Sequence, residues 1–246
     1  MLSIIIPTLN EEKYLPLLLC SIKKQEFRDY EIIVADADSS DKTRAIAQSF
    51  GCKIIKGGIP ARGRNEGAKI AKGNKFLFFD ADNIYLPKNF FQILLNEFEK
   101  RKLDVASFPI YPQGNGFDKF AYRLYNFWVK SVQKFFPYAT NSILARREIH
   151  KKIGGFDEQI TIAEDHDYAK RAVKVGRFGF IKTEPVLTSI RRFERDGRFK
   201  TYSKYLLAGF YMGIFGPVKK DIFKYRYNQY NNYDKNPQKD KGNFKK

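Results

Sequence analysis

The sequence predicts an α/β fold: a mainly parallel sheet with helices on both faces, followed by a C-terminal amphipathic helical extension. Two observations predict it. Over residues 1–100, short β-branched or aromatic runs alternate with amphipathic stretches, the pattern of βαβ units. Each run also ends in polar side chains: Thr8 and Asn10, Asp36 and Asp38, Arg62 and Arg64, Asp80 and Asp82. In an open α/β sheet the ligand crevice lies beyond the carboxyl ends of the strands, so these side chains should converge.

Residues 2–7 form an all-apolar strand, and Asn10 is placed to cap the helix that follows. In that helix Tyr14, Leu15, Leu18, Leu19 and Ile22 share one face, and Pro16 is tolerated close to the first turn. A strand over 31–36 precedes a helix that opens at Ser40-Asp41 and runs to Phe50. Residues 52–56 read as a third strand, 64–72 as a helix and 75–80 as a strongly buried fourth strand. The rest is less regular: a helix over 87–101, a strand over 104–110, an aromatic and basic helix over 117–136, a strand over 139–146, a helix over 163–175, and one or two strands over 178–191. Residues 202–218 are apolar and precede a Lys, Tyr and Asn-rich tail, which reads as poorly ordered from Asn228. At roughly 150 residues per domain, the chain makes one unit over 1–200, split into a front half (1–100) and a rear half (101–200), with 201–246 as an appendage.

The net charge of +18 is unevenly spread. Residues 1–100 carry 15 basic and 13 acidic side chains, a net of +2; residues 101–246 carry 30 and 14, a net of +16, and 28 of the 39 Phe, Tyr and Trp. Two partners of different chemistry are implied, and the apolar content excludes a disordered basic tail protein. Cys20 and Cys52 make no disulfide framework or metal-ligand spacing, which fits a reducing cytosol. The N-terminus has no basic region or small-residue cleavage site, so a secretory signal is not expected. The longest apolar run, residues 205–218, is shorter than the ~20 residues that span a bilayer.

Dinucleotide and NTP enzymes are excluded first. Pro7-Thr8-Leu9-Asn10 follows the first strand where a Gly-rich phosphate turn would be needed, and no Walker sequence occurs. Phosphates would need another counter-charge, and Asp80-Ala81-Asp82 could hold a cation that supplies one. Two carboxylates at the end of a buried strand can hold Mg²⁺ or Mn²⁺, hard ions that keep waters and bridge diphosphate oxygens; a solvated strand-end turn is the plainer alternative. A second acidic group, Glu164-Asp165-His166-Asp167, opens a helix, where dipole stabilisation alone favours acids, but a general base also needs a carboxylate aimed into a site. A third, Ser189-Ile190-Arg191-Arg192-Phe193, offers guanidinium groups to phosphate. His166 should point away from Asp165 in a supporting or exposed position, and His150, in a basic helix, should be solvated.

Taken together, residues 3–12 (SIIIPTLNEE), 34–43 (VADADSSDKT), 61–67 (ARGRNEG) and 78–82 (FFDAD) resemble, in order, the motifs of family-2 glycosyltransferases of the Rossmann-like GT-A fold. Gly154-Gly155-Phe156-Asp157-Glu158 ahead of Glu164-Asp165 adds a fifth segment, and the resemblance covers roughly residues 2–195. It implies a nucleotide-diphosphate-sugar donor, UDP- or GDP-linked, a divalent metal, Mn²⁺ or Mg²⁺, and inversion at the anomeric carbon. It further implies that Pro7, Thr8 and Glu11 line the nucleoside pocket, that Asp36 hydrogen-bonds the base and that Arg64 sits beside the base or ribose. Asp80 would face the ribose or a metal-bound water, Asp82 the metal, Asp165 the acceptor hydroxyl as base, and Arg192 the departing diphosphate.

Departures narrow this resemblance. Polymer synthases tend to carry Gln-x-x-Arg-Trp where this chain has Ser189-x-x-Arg192-Phe193, which with the lack of spanning helices argues for a non-processive enzyme. Dolichyl-phosphate sugar synthases place a metal-binding Gln where this chain has Ile84, and their anionic acceptors need no base, so a hydroxyl acceptor is expected. Ala35 and Ala37 replace the usual Val and Asp of the second motif and leave the base contact to Asp36.

The aromatic and basic rear half has three explanations. In 117–136, Phe120, Tyr122, Leu124, Phe127, Trp128, Val132 and Phe135 interleave with Lys119, Arg123, Lys130 and Lys134, more apolar positions than one packing face requires. Such a helix suits an anionic lipid interface, with residues 202–218 and flanking Lys200, Lys204, Lys219 and Lys220 as a second contact. Core or dimer-interface helices are the structural alternative. Nucleic-acid binding lacks any recognised signature. The expectation is therefore a peripheral enzyme on the cytoplasmic face of the membrane, acting on a lipid-linked saccharide or glycolipid. The competitor is a nucleic-acid or membrane interaction module on a degenerate glycosyltransferase scaffold.

Overall fold

The computed structural model describes residues 1–133, 137–160 and 162–216. Lys134, Phe135, Phe136 and everything from 217 onward, including Val218, Lys219, Lys220 and the tail, lie outside the described residues. In chain order the front half comprises β1 (Leu2–Thr8), α1 (Leu15–Lys23), β2 (Tyr30–Asp36), α2 (Thr43–Ser49), β3 (Lys53–Lys56), α3 (Pro60–Ile70), β4 (Lys75–Phe78), β5 (Asn83–Tyr85) and α4 (Phe90–Lys100). The rear half adds β6 (Val105–Ser107), β7 (Ile110–Pro112), α5 (Gly116–Val132), β8 (Ile143–Arg146), α6 (Arg147–Lys152), α7 (Glu164–Ala172), β9 (Phe178–Phe180), β10 (Val186–Thr188), α8 (Arg191–Asp196) and α9 (Arg198–Phe215).

A seven-stranded sheet runs in the order β3-β2-β1-β4-β8-β6-β9, with β1 to β4 parallel and β8 antiparallel to both its neighbours. The rear half thus completes the sheet of the front half. Successive side chains of a strand face opposite sides, so Ile4, Ile6, Leu77 and Phe79 join Leu15, Leu18, Phe90 and Phe91 from α1 and α4. Ile5, Ile33, Phe76 and Phe78 join Ala61, Ala68, Phe156 and Tyr168 on the other side. Burial on both faces is why these strands are apolar throughout.

Helix α3 packs unusually close to the sheet. A Cβ added at Gly67 would stand 2.4 Å from Ile5 Cγ2, and one at Gly63 would stand 3.0 Å from Pro7 Cβ. Glycines four residues apart therefore turn one bare helix face to β1, and Arg64 is set beside the strand ends. A second sheet, β5-β10-β7, sits at those ends, β10 running antiparallel to β5 and parallel to β7.

Several expectations change. Asn10 does not cap α1: it takes a left-handed backbone (φ 54°), and its carboxamide oxygen accepts from Ser40 N at 2.8 Å, tying the first strand loop to the second. The helix expected at 64–72 starts at Pro60, whose missing N–H costs nothing in the first turn. The strand expected over 104–110 is broken into β6 and β7, which belong to different sheets. His150 is buried, not solvated: its ring packs with Phe76, Phe78 and Tyr168, Nδ1 lies 3.2 Å from Tyr168 Oη, and burial lowers its pKa to about 4. Among the described residues, no helix is long and apolar enough to cross a membrane.

Candidate active site

The acids of the strand ends gather into two linked groups. In the first, Glu11 and Arg191 form a two-pronged pair, with Nη1 to Oε2 at 2.6 Å and Nη2 to Oε1 at 2.7 Å, and Arg191 Nε lies 3.5 Å from Asp82 Oδ2. Strand pairing brings these distant positions together. β10 pairs with β5, directly after Asp82, and Ser189 N donates to Asp82 O (2.9 Å) while Ser189 Oγ donates to Asp82 Oδ2 (3.2 Å). The guanidinium also lies over the Tyr14 ring at 5.3 Å. Burial, opposed by Arg191, raises the Glu11 pKa to about 7.

In the second group Arg64 forks between Asp80 Oδ1 and Glu164 Oε1, both at 2.6 Å, with its guanidinium 5.1 Å above the Phe156 ring. Phe156 is fixed in turn. Its N–H donates to Asn65 Oδ1 (2.8 Å), its carbonyl accepts from Asn65 Nδ2 (2.9 Å), and its ring stacks on Tyr168 at 4.3 Å. Gly155 is required there, since its φ is +75° and a Cβ would stand 2.6 Å from Asn65 Oδ1. Burial, partly offset by Arg64 and reinforced by Asp82 and Glu164, raises the Asp80 pKa to about 6.

Asp165 adjoins this group without sharing its guanidinium. Its Oδ1 accepts from the backbone of His166 at 2.9 Å, and burial together with Glu164 pushes its pKa well above the usual carboxylate range. The preceding Ala163 is held at φ 59°, a left-handed conformation costing about 1 kcal/mol or more, and it delivers Glu164 and Asp165 into the crevice at the start of α7.

The remaining expected residues line the same end of the sheet. Asp36 is buried, accepting from Thr8 Oγ1 (3.0 Å), Ser39 N (3.0 Å) and Ser39 Oγ (2.5 Å), and Pro7 abuts Gly63 of α3. Arg192 lies half-exposed on α8, one position beyond the guanidinium that reaches Glu11 and Asp82. Arg191 and Glu164 were present in the motif segments, but residue spacing does not show which member of an Arg-Arg or Glu-Asp pair turns inward.

The donor set fits a hard divalent cation. Among the described residues no three acidic, His or Cys side chains form a complete cage. Asp80 and Asp82 supply two carboxylates, and Mg²⁺ or Mn²⁺ normally completes its shell with water and phosphate oxygens. The neighbouring carboxylates Asp82 and Glu164 help to raise the Asp80 pKa, so added positive charge is favourable there.

Residues 3–156 match the family described as Glycosyl transferase family 2. An uncharacterized glycosyltransferase of Rickettsia typhi is 30% identical over 200 residues, 73% of this chain and 61% of that protein. The crystal structure of Staphylococcus aureus TarS residues 1–349 superposes with a TM-score of 0.62 at 22% identity, covering 76% of this chain and 60% of that one. A mannosyltransferase from Pyrobaculum calidifontis, PcManGT, gives 0.63 at 19% identity, covering 76% and 56%. The chain spans less than two thirds of the length of each of these three proteins. These likenesses bear out the expected GT-A fold, and with the family match over 3–156 and the matching motifs at the strand ends, the chain belongs to Glycosyl transferase family 2.

Proposed function

We propose that the protein transfers a sugar from a UDP- or GDP-linked donor to a hydroxyl of a lipid-linked saccharide or glycolipid, with inversion and one sugar per encounter, at the cytoplasmic surface of an anionic membrane. The observation that carries this reading is the division of labour at the strand ends. Arg191 and Arg64 are held by carboxylates, whereas the half-buried Asp165 beside them accepts from the His166 backbone and, among the described residues, pairs with neither guanidinium. The TarS structure in complex with UDP and the PcManGT structure in complex with GDP-Man and Mn²⁺ support the donor class.

Pro7, Thr8 and Asp36 would receive the nucleoside, Arg64 and Asp80 its ribose, and Asp82 with Asp80 a divalent cation. When bound, that cation supplies Lewis-acid stabilisation to the diphosphate oxygens. Asp165 takes the proton from the acceptor hydroxyl, and its raised pKa suits it to that task. The new bond to the anomeric carbon forms as the bond to the diphosphate oxygen breaks. The electron pair leaves on the diphosphate, where Arg191, with Arg192 beside it, meets the developing charge.

The membrane part rests on α5. Phe117, Phe120, Leu124, Phe127 and Trp128 recur at helical spacing and are exposed, Phe127 by 68%, with Lys119, Arg123 and Lys130 between them. Basic and aromatic side chains in this arrangement suit the interface of an anionic leaflet.

Calorimetry with UDP, GDP and their sugars, with and without Mn²⁺, tests the donor assignment. Metal-dependent binding that Asp82→Ala abolishes is expected; binding indifferent to both would overturn it. Co-sedimentation with phosphatidylglycerol vesicles, reduced by replacing Lys119, Arg123 and Lys130, tests the membrane assignment; equal sedimentation with phosphatidylcholine would overturn it.

A further inference from the structure

The exposed stripe of α5 changes chemistry at its last turn. Phe117, Phe120, Leu124 and Phe127 are purely apolar, whereas Trp128 begins a row of rings with polar edges that leads to Asp165. The Trp128 indole, 44% exposed, meets the Tyr138 ring at 4.8 Å with the planes inclined by 55°. Tyr138, itself half-buried, meets the His166 ring edge-on at 4.6 Å, and His166 Nδ1 is 3.9 Å from Asp165 Oδ1. The nucleoside, diphosphate and metal roles use none of these three rings.

Half-exposed aromatic faces with polar rims match ligands that are themselves apolar on their faces and polar around the edge. A saccharide ring has this character: C–H groups cover its faces and hydroxyls ring its edge. An alkyl chain has no polar edge to place and is better served by the Phe and Leu stripe. Burial, assisted by Lys170, lowers the His166 pKa to about 3, so the ring that fixes Tyr138 is uncharged at neutral pH and the row carries no cation that would draw a phosphate instead.

We propose that Trp128 and Tyr138 form an acceptor shelf that binds a saccharide ring by its apolar face, with one hydroxyl directed to Asp165 and the lipid portion leaving toward Phe127 and Leu124. The acceptor is then a glycoside, not a bare lipid alcohol. His166 is a positioning residue that holds Tyr138 against Trp128. The inference rests on Asp165 being the base of the transfer.

Trp128 is the single tryptophan of the chain, so its emission reports directly on the shelf. The full protein, without lipid, is titrated with hexyl β-glycosides of hexoses and N-acetylhexosamines, and in parallel with hexanol. A saturable change in Trp128 emission with at least one glycoside is expected, at concentrations where hexanol gives none. Tyr138→Ala should weaken that binding by about tenfold, while calorimetric binding of UDP or GDP with Mn²⁺ stays unchanged. Equal responses to hexanol and glycosides, no saturable response to any glycoside, or no effect of Tyr138→Ala would each overturn the shelf. Loss of nucleotide binding in the unsubstituted protein would instead sink the transferase reading, because the glycoside titration needs no donor.

Discussion

The Glu11 carboxylate and the Arg191 guanidinium, 180 positions apart in sequence, face each other in a parallel two-pronged pair at 2.6 and 2.7 Å. Glu11 is buried, and Arg191 also reaches toward Asp82. Removing the guanidinium leaves a buried carboxylate with its lowering partner gone. Arg191→Ala should cost about 2 kcal/mol of stability and weaken nucleoside diphosphate binding about tenfold, while Arg192→Ala should leave stability unchanged. Urea denaturation and calorimetry on the two variants check this; equal stability losses would mean that Glu11 does not depend on Arg191.

The same pair predicts a pH dependence of opposite sign to the usual carboxylate case. Glu11 and Asp80 have folded-state pKa values of about 7 and about 6, against ordinary values of 4.5 and 3.8. At these two groups the folded state binds more protons than the unfolded chain, so their contribution to stability falls as pH rises from about 4 to 7. Glu31, Glu99 and Asp196, whose pKa values are lowered, act below that window, since their contribution is lost only as pH falls below the ordinary carboxylate range. Buried His150 and His166, with pKa values lowered to about 4 and about 3, oppose this trend below pH 6.5. The two acids are therefore read by difference: between pH 5 and pH 7.5 the denaturation midpoint of the unsubstituted protein should fall more, or rise less, than that of Glu11→Gln with Asp80→Asn. A slope unchanged in the double variant would remove these two acids as its source.

Helix α3 supplies a packing prediction. Gly67→Ala gains about 1 kcal/mol of helix propensity, but the added methyl meets Ile5 Cγ2 at 2.4 Å. Overpacking of this kind costs about 1–3 kcal/mol, for a net loss near 1 kcal/mol. The shift would also carry Arg64 away from Asp80, so nucleotide binding should weaken as well. Gly116→Ala in α5, with nothing within 4 Å of the new methyl, should be neutral or slightly stabilising. Thermal unfolding of both variants distinguishes local clash from a general intolerance of substitution.

The parts of this fold that could be read in advance were those with strong periodicity. β1 to β4 are apolar runs long enough to stand out, and burial on both faces makes them so. β5, β7 and β10 are three residues each, with no period to detect, yet this small sheet brings Asp82 to Ser189 and Arg191. The choice between Arg191 and Arg192 was beyond reach for a related reason. Both open the same short helix, and only the β5–β10 pairing decides which side chain meets Glu11. The basic sequence neighbours of His150 suggest a solvated ring, whereas its spatial neighbours are Phe76, Phe78 and Tyr168.

Glu164 and Asp165, adjacent in the chain, should separate cleanly by substitution. Glu164 is the second anchor of Arg64, with a 2.6 Å contact, so Glu164→Gln trades a charge-assisted bond for a neutral one and loosens the guanidinium beside Asp80. A stability loss of about 1–2 kcal/mol is expected, with weaker nucleotide binding. Among the described residues Asp165 anchors no guanidinium, and burial already penalises its charge, so Asp165→Asn should fold as well or better and bind nucleotide normally. Its loss should appear in turnover alone, lowering kcat about 10²–10⁴-fold, the range for removal of a positioned general base. If Asp165→Asn retained turnover while Glu164→Gln lost it with unimpaired nucleotide binding, the base would be Glu164, and Arg64 would need another partner to hold it in place.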